Sequence, residues 1–184
     1  SKQEWFKTKA EMNDIFSDVP EALSNTLEIL DKCEIYSIDH DPIMPFFPIP
    51  ESFGTEEQWR QRISEEQLYE EFTRDENGKN PMSREDGEKK IKKLGGYDKL
   101  YRIKFEADFL AELAYKGGKE RYLPNNELVL EEVEVDTGNP QSTYTILHST
   151  LPKDVDDRIR FELHIMKTMG FPGYFLIVQD FINS

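Results

Sequence analysis

Three stretches of the chain carry residue types that do chemistry elsewhere. Asp39-His40-Asp41 sets an imidazole between two carboxylates, the donor types of a divalent-metal site. Adjacent side chains cannot converge on one ion without a bend, and no second cluster stands nearby at ligand spacing. Turn chemistry ahead of Pro42 is therefore the expectation. Gly117-Gly118-Lys119 has the look of a phosphate loop. It lacks the upstream glycine of G-x-x-x-x-G-K-[ST], and Glu120 stands where Ser or Thr belongs, so a helix terminator is expected there. The run from Glu85 to Lys93 mixes signs and reads as a solvated helix face. Its four lysines, Lys89, Lys90, Lys92 and Lys93, would touch phosphate only within a larger assembly. His148 and His164 lie far apart, with no Ser or Cys nucleophile in a recognisable motif. The lone cysteine, Cys33, can form neither an internal disulfide nor a CxxC knuckle. No catalytic residue, no metal ligand and no particular nucleic-acid-binding residue is assigned.

The elements that would position any such groups are mostly helices. Thr8-Lys9-Ala10-Glu11 has the form of a capping box, opening a short helix through Met12, Ile15 and Phe16. Asp18-Val19-Pro20-Glu21 predicts a second start, with Asp18 as cap and Pro20 in the first turn. Leu23, Leu27 and Leu30 then recur on one amphipathic face. Pro42, Pro45, Pro48 and Pro50 break this pattern and predict an extended strap, its apolar side chains against a neighbouring surface. Residues 55–122 read as charge-rich helices, broken at 77–81 and at Gly95-Gly96. Ile103, Phe105, Phe109, Leu110, Leu113 and Ala114 form one helical stripe expected to end at Gly117-Gly118. From Leu128 to Ile146 the period shifts toward two around Thr137-Gly138-Asn139-Pro140, which predicts a hairpin. Two helices close the chain, before and after Gly170-Phe171-Pro172-Gly173. The fold class expected is mainly α with a small β component (α+β).

Composition narrows the function classes. With 184 residues and 37% hydrophobic content, the chain can bury a core. Asp and Glu total 37 against 23 Lys and Arg, for a net charge of −14, and the mean hydropathy is −0.70. Phosphate-binding modules show the opposite balance, so an autonomous DNA binder is not expected. No apolar run nears the roughly 20 residues of a membrane span. A cytoplasmic setting without membrane contact is the expectation.

Four landmarks carry a family resemblance. Residues 158–182 read R-I-R-F-E-L-H-I-M-K-T-M-G-F-P-G-Y-F-L-I-V-Q-D-F-I. This resembles the opening of the palm in the alpha subunit of the bacterial replicative DNA polymerase III, where R-[IL]-x-[YF]-E-L-x-x-I precedes M-G-F-x-G-Y-F-L-I-V-x-D-F-I. Phe6, Thr8, Glu11 and Met12, then Pro20-Glu21-Ala22-Leu23-Ser24-Asn25-Thr26 and Cys33, resemble the end of that family's PHP domain. Phe47-Pro48-Ile49-Pro50 is similar to the next landmark. Phe109 to Tyr122 resembles the helix that follows, which ends in G-x-x-x-R-Y. Residues 55–104 and 123–151 depart from the pattern and read as insertions.

The resemblance implies four regions: 1–38 as the helical end of a PHP domain, 39–54 as the strap, 55–151 as a helical region with both insertions, and 152–184 as the start of the palm. It implies that the PHP metal-binding motifs lie upstream and the palm's catalytic carboxylates downstream. The chain itself is thus expected to be a non-catalytic junction fragment, inactive alone and without a cofactor. The parent would be a DNA-directed DNA polymerase using Mg²⁺, with DNA and replisome subunits as partners. An independent acidic helical interaction module is the alternative reading, and a PHP-type phosphoesterase is disfavoured because three scattered histidines make no H-x-H motif. The apolar C-terminal residues Phe175, Ile177, Val178, Phe181 and Ile182 are expected to fold back on Leu163 and Met166 or to pair with a second copy.

Overall fold

A computed structural model describes residues 4–40, 45–138, 140 and 144–184. Asp41, Pro42, Ile43, Met44 and Asn139, which bear on the metal, strap and hairpin expectations above, lie outside the described residues. The chain divides into two compact units, residues 1–43 and 44–184, a division that falls within the stretch 39–54.

In the first unit, α1 (Lys9–Ile15) opens with the expected capping box. The Glu11 amide donates to the Thr8 hydroxyl at 3.3 Å, and the Thr8 amide donates to the Glu11 carboxylate at 2.8 Å. The second helix, α2 (Pro20–Asp31), starts differently from the expectation: Val19, not Asp18, is the cap, and no side chain caps it. Pro20 explains this, because its ring presets a helical φ and removes an amide that a carboxylate would otherwise serve. Neither helix buries a residue.

The second unit is built around one long helix. Its elements are α3 (Glu56–Arg62), α4 (Glu65–Thr73), α5 (Arg84–Leu94), α6 (Tyr97–Tyr122), β1 (Leu130–Glu134), β2 (Thr145–Ser149), α7 (Lys153–Thr168) and α8 (Pro172–Asn183). Capping boxes at Thr55/Gln58 and Ser64/Gln67 start α3 and α4 by satisfying orphan amides reciprocally. Gly95, at φ 104°, closes α5 in the left-handed region that L side chains avoid. The fold is mainly helical, and β1 and β2 form a two-stranded antiparallel sheet with Leu130 opposite Ser149 and Glu134 opposite Thr145. The second strand reaches Ser149, three residues beyond the expected limit at Ile146.

Helix α6 touches α3, α4, α5, α7 and α8, so it organises both apolar clusters. One joins Leu68, Tyr69 and Phe72 of α4 to Ile91 of α5 and Leu100, Tyr101 and Ile103 of α6. The other sets Leu176 of α8 against Phe109 and Leu110, with Phe47, Ile49, Leu163 and Met166 packed around them. The strap thus lays Phe47 and Ile49 on α6, as its spacing predicts. The last helix does fold back toward Leu163 and Met166, but through Leu176, which is fully buried, while Phe181 and Ile182 stay 82% and 75% exposed.

The helix terminator expected at Gly117-Gly118 is absent, because α6 runs through both glycines to Tyr122. Packing explains the glycine pair better than chain reversal does. A Cβ at Gly118 would stand 3.0 Å from Leu151 Cδ1 and 3.3 Å from Ile159 Cδ1, so the missing side chain lets α7 and its leading loop approach α6. At Gly117 a Cβ would meet only the Arg121 guanidinium, the free end of a flexible side chain. The two positions should respond oppositely. Gly118→Val is expected to destabilise by about 1–3 kcal/mol through overpacking, and Gly117→Ala to be neutral or stabilising by up to about 1 kcal/mol through helix propensity. Thermal melts followed by circular dichroism test this, and equal losses at both positions would contradict the packing account.

Candidate functional site

The chemically unusual part of the second unit is a layer of charge buried between α4, α6 and α7. Glu71 lies on the inner side of α4 because it follows Leu68 by three residues, on the face that also carries Phe72. Its side chain is 8% exposed. One of its oxygens, Oε1, accepts from Lys104 of α6 at 3.0 Å and also from Lys167 of α7. Lys104 donates in turn to Asp108, one helical turn on, at 2.7 Å. Asp108 accepts the indole N–H of Trp59 from α3 at 2.7 Å. A continuous chain of charge-assisted bonds therefore links four helices: Trp59, Asp108, Lys104, Glu71, Lys167.

Burial alone would push the Glu71 carboxyl up, but the two ammonium groups outweigh it and hold its pKa down at about 2. The reverse holds for Lys104: burial would lower it, yet Asp108 and Glu71 raise it well above the ordinary lysine value. Both groups stay ionised. His164 stands beside this layer and is lowered to about 4, first by burial and then by the charges of Lys167 and Lys90, against weaker opposition from Glu71 and Asp75. A cavity of about 130 Å³ opens here, lined among others by Glu71, Lys104, Lys167, His164 and Tyr144. The Tyr144 hydroxyl is the one buried side-chain polar atom among the described residues without a hydrogen-bond partner, and burial pushes its pKa up.

A second polar cluster anchors the hairpin to α7. Ser149 donates to Asp156 at 2.5 Å, and His148 Nδ1 lies 3.5 Å from the same carboxylate. Arg160 reaches Asp156, Asp157 and the side-chain oxygen of Asn77, tying α7 to the 77–81 turn. Arg102 performs the same service for the strap, donating to the Phe47 carbonyl at 3.3 Å while its guanidinium lies 4.0 Å from the Phe46 ring centroid.

The residues singled out from sequence are dispersed. His40 is exposed in the first unit, and Cys33 is likewise exposed. His148 and His164 line different cavities. Gly117-Gly118-Lys119 lies within a helix and cannot curl around a phosphate. The lysine run is not wholly solvated: Lys90 turns inward and donates to the Phe72 carbonyl at 2.8 Å. Among the described residues no group of three or more His, Cys, Asp or Glu is placed to hold a metal ion. What the layer can do chemically is brace. Glu71, Lys104, Lys167 and Asp108 are each paired within it. Sequence reading missed Glu71, Lys104 and Lys167, although their spacing from Leu68, Leu100 and Leu163 places each on an apolar helical stripe.

Residues 108–184, which contribute α7, α8 and most of α6, match the family model described as the bacterial DNA polymerase III alpha NTPase domain. The whole chain aligns with curated proteins called DNA polymerase III subunit alpha. It is 29% identical over 183 residues to the protein from Pseudomonas aeruginosa, 29% over 181 to that from Caulobacter vibrioides, and 27% over 180 to that from Borreliella burgdorferi. These alignments cover 100%, 98% and 97% of this chain, against 10%, 10% and 9% of the relatives. No solved structure matches significantly. The part of the architecture that the family model covers is the second half of α6 with the hairpin, α7 and α8. The likeness is to the DNA polymerase III alpha subunit, and the chain spans about a tenth of the length of the curated relatives it matches.

Two measurements probe the buried layer. Glu71→Ala leaves two largely buried lysines without their shared carboxylate and is expected to destabilise by about 3–5 kcal/mol. Glu71→Leu combined with Lys104→Met, Lys167→Met and Asp108→Asn removes all four charges together, and should cost less than the single change in urea unfolding. The second measurement is acid titration. His164 has a folded pKa of about 4 against an ordinary 6.5, so its contribution is full above pH 6.5 and is lost as pH falls toward 4. Glu71, at about 2 against 4.5, contributes fully above pH 4.5 and loses this as pH falls toward 2. The urea midpoint should therefore begin to fall below pH 6.5. His164→Leu should flatten the limb between 6.5 and 4 while leaving the more acid one, and an unchanged profile would refute the assignment.

Proposed function

We propose that this chain is the non-catalytic junction between the PHP and palm regions of a bacterial replicative DNA polymerase, with residues 1–38 closing the PHP domain and 152–184 opening the palm. The parent performs template-directed DNA synthesis by nucleotidyl transfer on Mg²⁺, in the cytoplasm, with DNA and replisome subunits as partners. The observation that carries this reading is the fixing of Lys167, within the palm-like stretch, by Glu71 and through it by Lys104 of the central helix. A catalytic platform must be held within fractions of an ångström, and paired buried charges fix one geometry where apolar contacts allow sliding. Candidate membrane spans are absent among the described residues.

The test has two arms. The 184-residue chain alone is expected to show no polymerase, exonuclease or phosphoesterase turnover with Mg²⁺, Mn²⁺ or Zn²⁺. Metal-dependent turnover that copurifies with the chain and disappears on changing His40 would overturn this. In a longer polypeptide containing the flanking regions, primer extension should appear. Glu71→Ala there should lower thermal stability and extension rate together, while leaving the dependence on nucleotide concentration nearly unchanged. Full primer extension by the short chain would sink the junction reading.

A further inference from the structure

We infer that the outer edge of the hairpin is a docking strand for an extended, basic polypeptide segment, which would join the sheet as a third strand beside β1. The sheet has only β1 and β2, and it is β2 that packs on α7. In antiparallel pairing alternate residues turn their backbone groups to opposite sides. The amides of Val135 and Thr150 donate to the carbonyls of Tyr144 and Val129, which fixes the phase. The odd-numbered residues of β1 therefore face β2, and Leu130, Glu132 and Glu134 turn their N–H and C=O groups outward. Among the described residues, none of these three has a backbone partner outside the hairpin. Every residue of β1 is exposed, so nothing shields that row.

Charge selects the occupant. From residue 123 to residue 152 the chain contains Glu127, Glu131, Glu132, Glu134 and Asp136, and no Lys or Arg at all. A second copy of β1 laid against this edge would oppose glutamate to glutamate, which disfavours self-pairing. A strand alternating Lys or Arg with β-branched residues meets the opposite condition. Its cations share the face of the Glu132 and Glu134 carboxylates, its amides take the outward carbonyls, and its apolar positions lie on the opposite face beside Val133, which is 39% exposed. Backbone pairing supplies the register and the carboxylates supply the choice of partner.

The probe is a short capped peptide of alternating lysine and valine, labelled for fluorescence anisotropy at low salt. Its twin, N-methylated at every residue, has the same charge but no backbone donors. Binding of the plain peptide, with new hydrogen-exchange protection at the Leu130, Glu132 and Glu134 amides, is the expected result. The N-methylated twin should bind at least tenfold more weakly. Glu132→Pro removes one outward N–H that β2 does not use, and should weaken the plain peptide at least tenfold. Glu132→Gln with Glu134→Gln should weaken it less and reduce its salt dependence. Equal binding of both peptides would mean bulk charge attraction and would overturn the proposal. So would protection of the same amides in a dimer of the chain without peptide, or no binding at all. Should the proline variant misfold, the peptide pair decides alone.

Discussion

The second unit depends on one carboxylate with two ammonium partners. Glu71 lies inside the protein, where an unpaired charge is strongly disfavoured, so α4 can pack on α6 only if Lys104 is there to meet it. The same oxygen then requires α7 to bring in Lys167. A purely apolar interface would tolerate a slide of one helix along another, since many registers bury similar area. Three charges that must meet at one point tolerate very little. The layer thus converts general hydrophobic collapse into one register for three helices, and through Asp108 and Trp59 it extends that demand to α3.

The apolar clusters flank this layer rather than replace it. Toward one side, α4 and α5 close over Leu100 and Ile103; toward the other, α8 and the strap close over Phe109 and Leu110. Aromatic contacts reinforce the second side, where Phe53 packs tilted on Trp59 and Phe105 and edge-on to Phe109 at centroid separations of 5.1 to 5.8 Å. Such a division suits a segment whose proposed work is to hold neighbouring parts of a large enzyme. The charged layer sets position, and the apolar clusters supply the bulk of the cohesion.

The acidity of the chain has two different fates. Glu70, Glu71 and Asp156 are buried and paired, and they shape the interior. The carboxylates of β1 are exposed on a strand with no cation of its own. Net charge alone does not separate these roles. It bears on the class of partner to expect, yet it is silent on which acids hold the fold together and which are available to a partner.

Periodicity and punctuation by themselves determined most of the elements. Thr8 and Glu11 marked a helix start, Gly95-Gly96 a break, and the change of period after Leu128 a hairpin, because these signals are local and need no partner. The strap was legible for the same reason, since closely spaced prolines leave no room for a helix interior. The order of four landmarks also carried the family resemblance. Tertiary structure decided what local signals leave open. Gly117-Gly118 reads as a terminator along the chain, and becomes the floor of a helix contact once Leu151 and Ile159 arrive. Lys90, read as solvated, turns inward because the Phe72 carbonyl needs a donor. Glu71, Lys104 and Lys167 look like any surface charges, even at apolar spacing, until helices distant in sequence bring them together. A buried ion pair is a property of two segments at once, and no single stretch of sequence contains it.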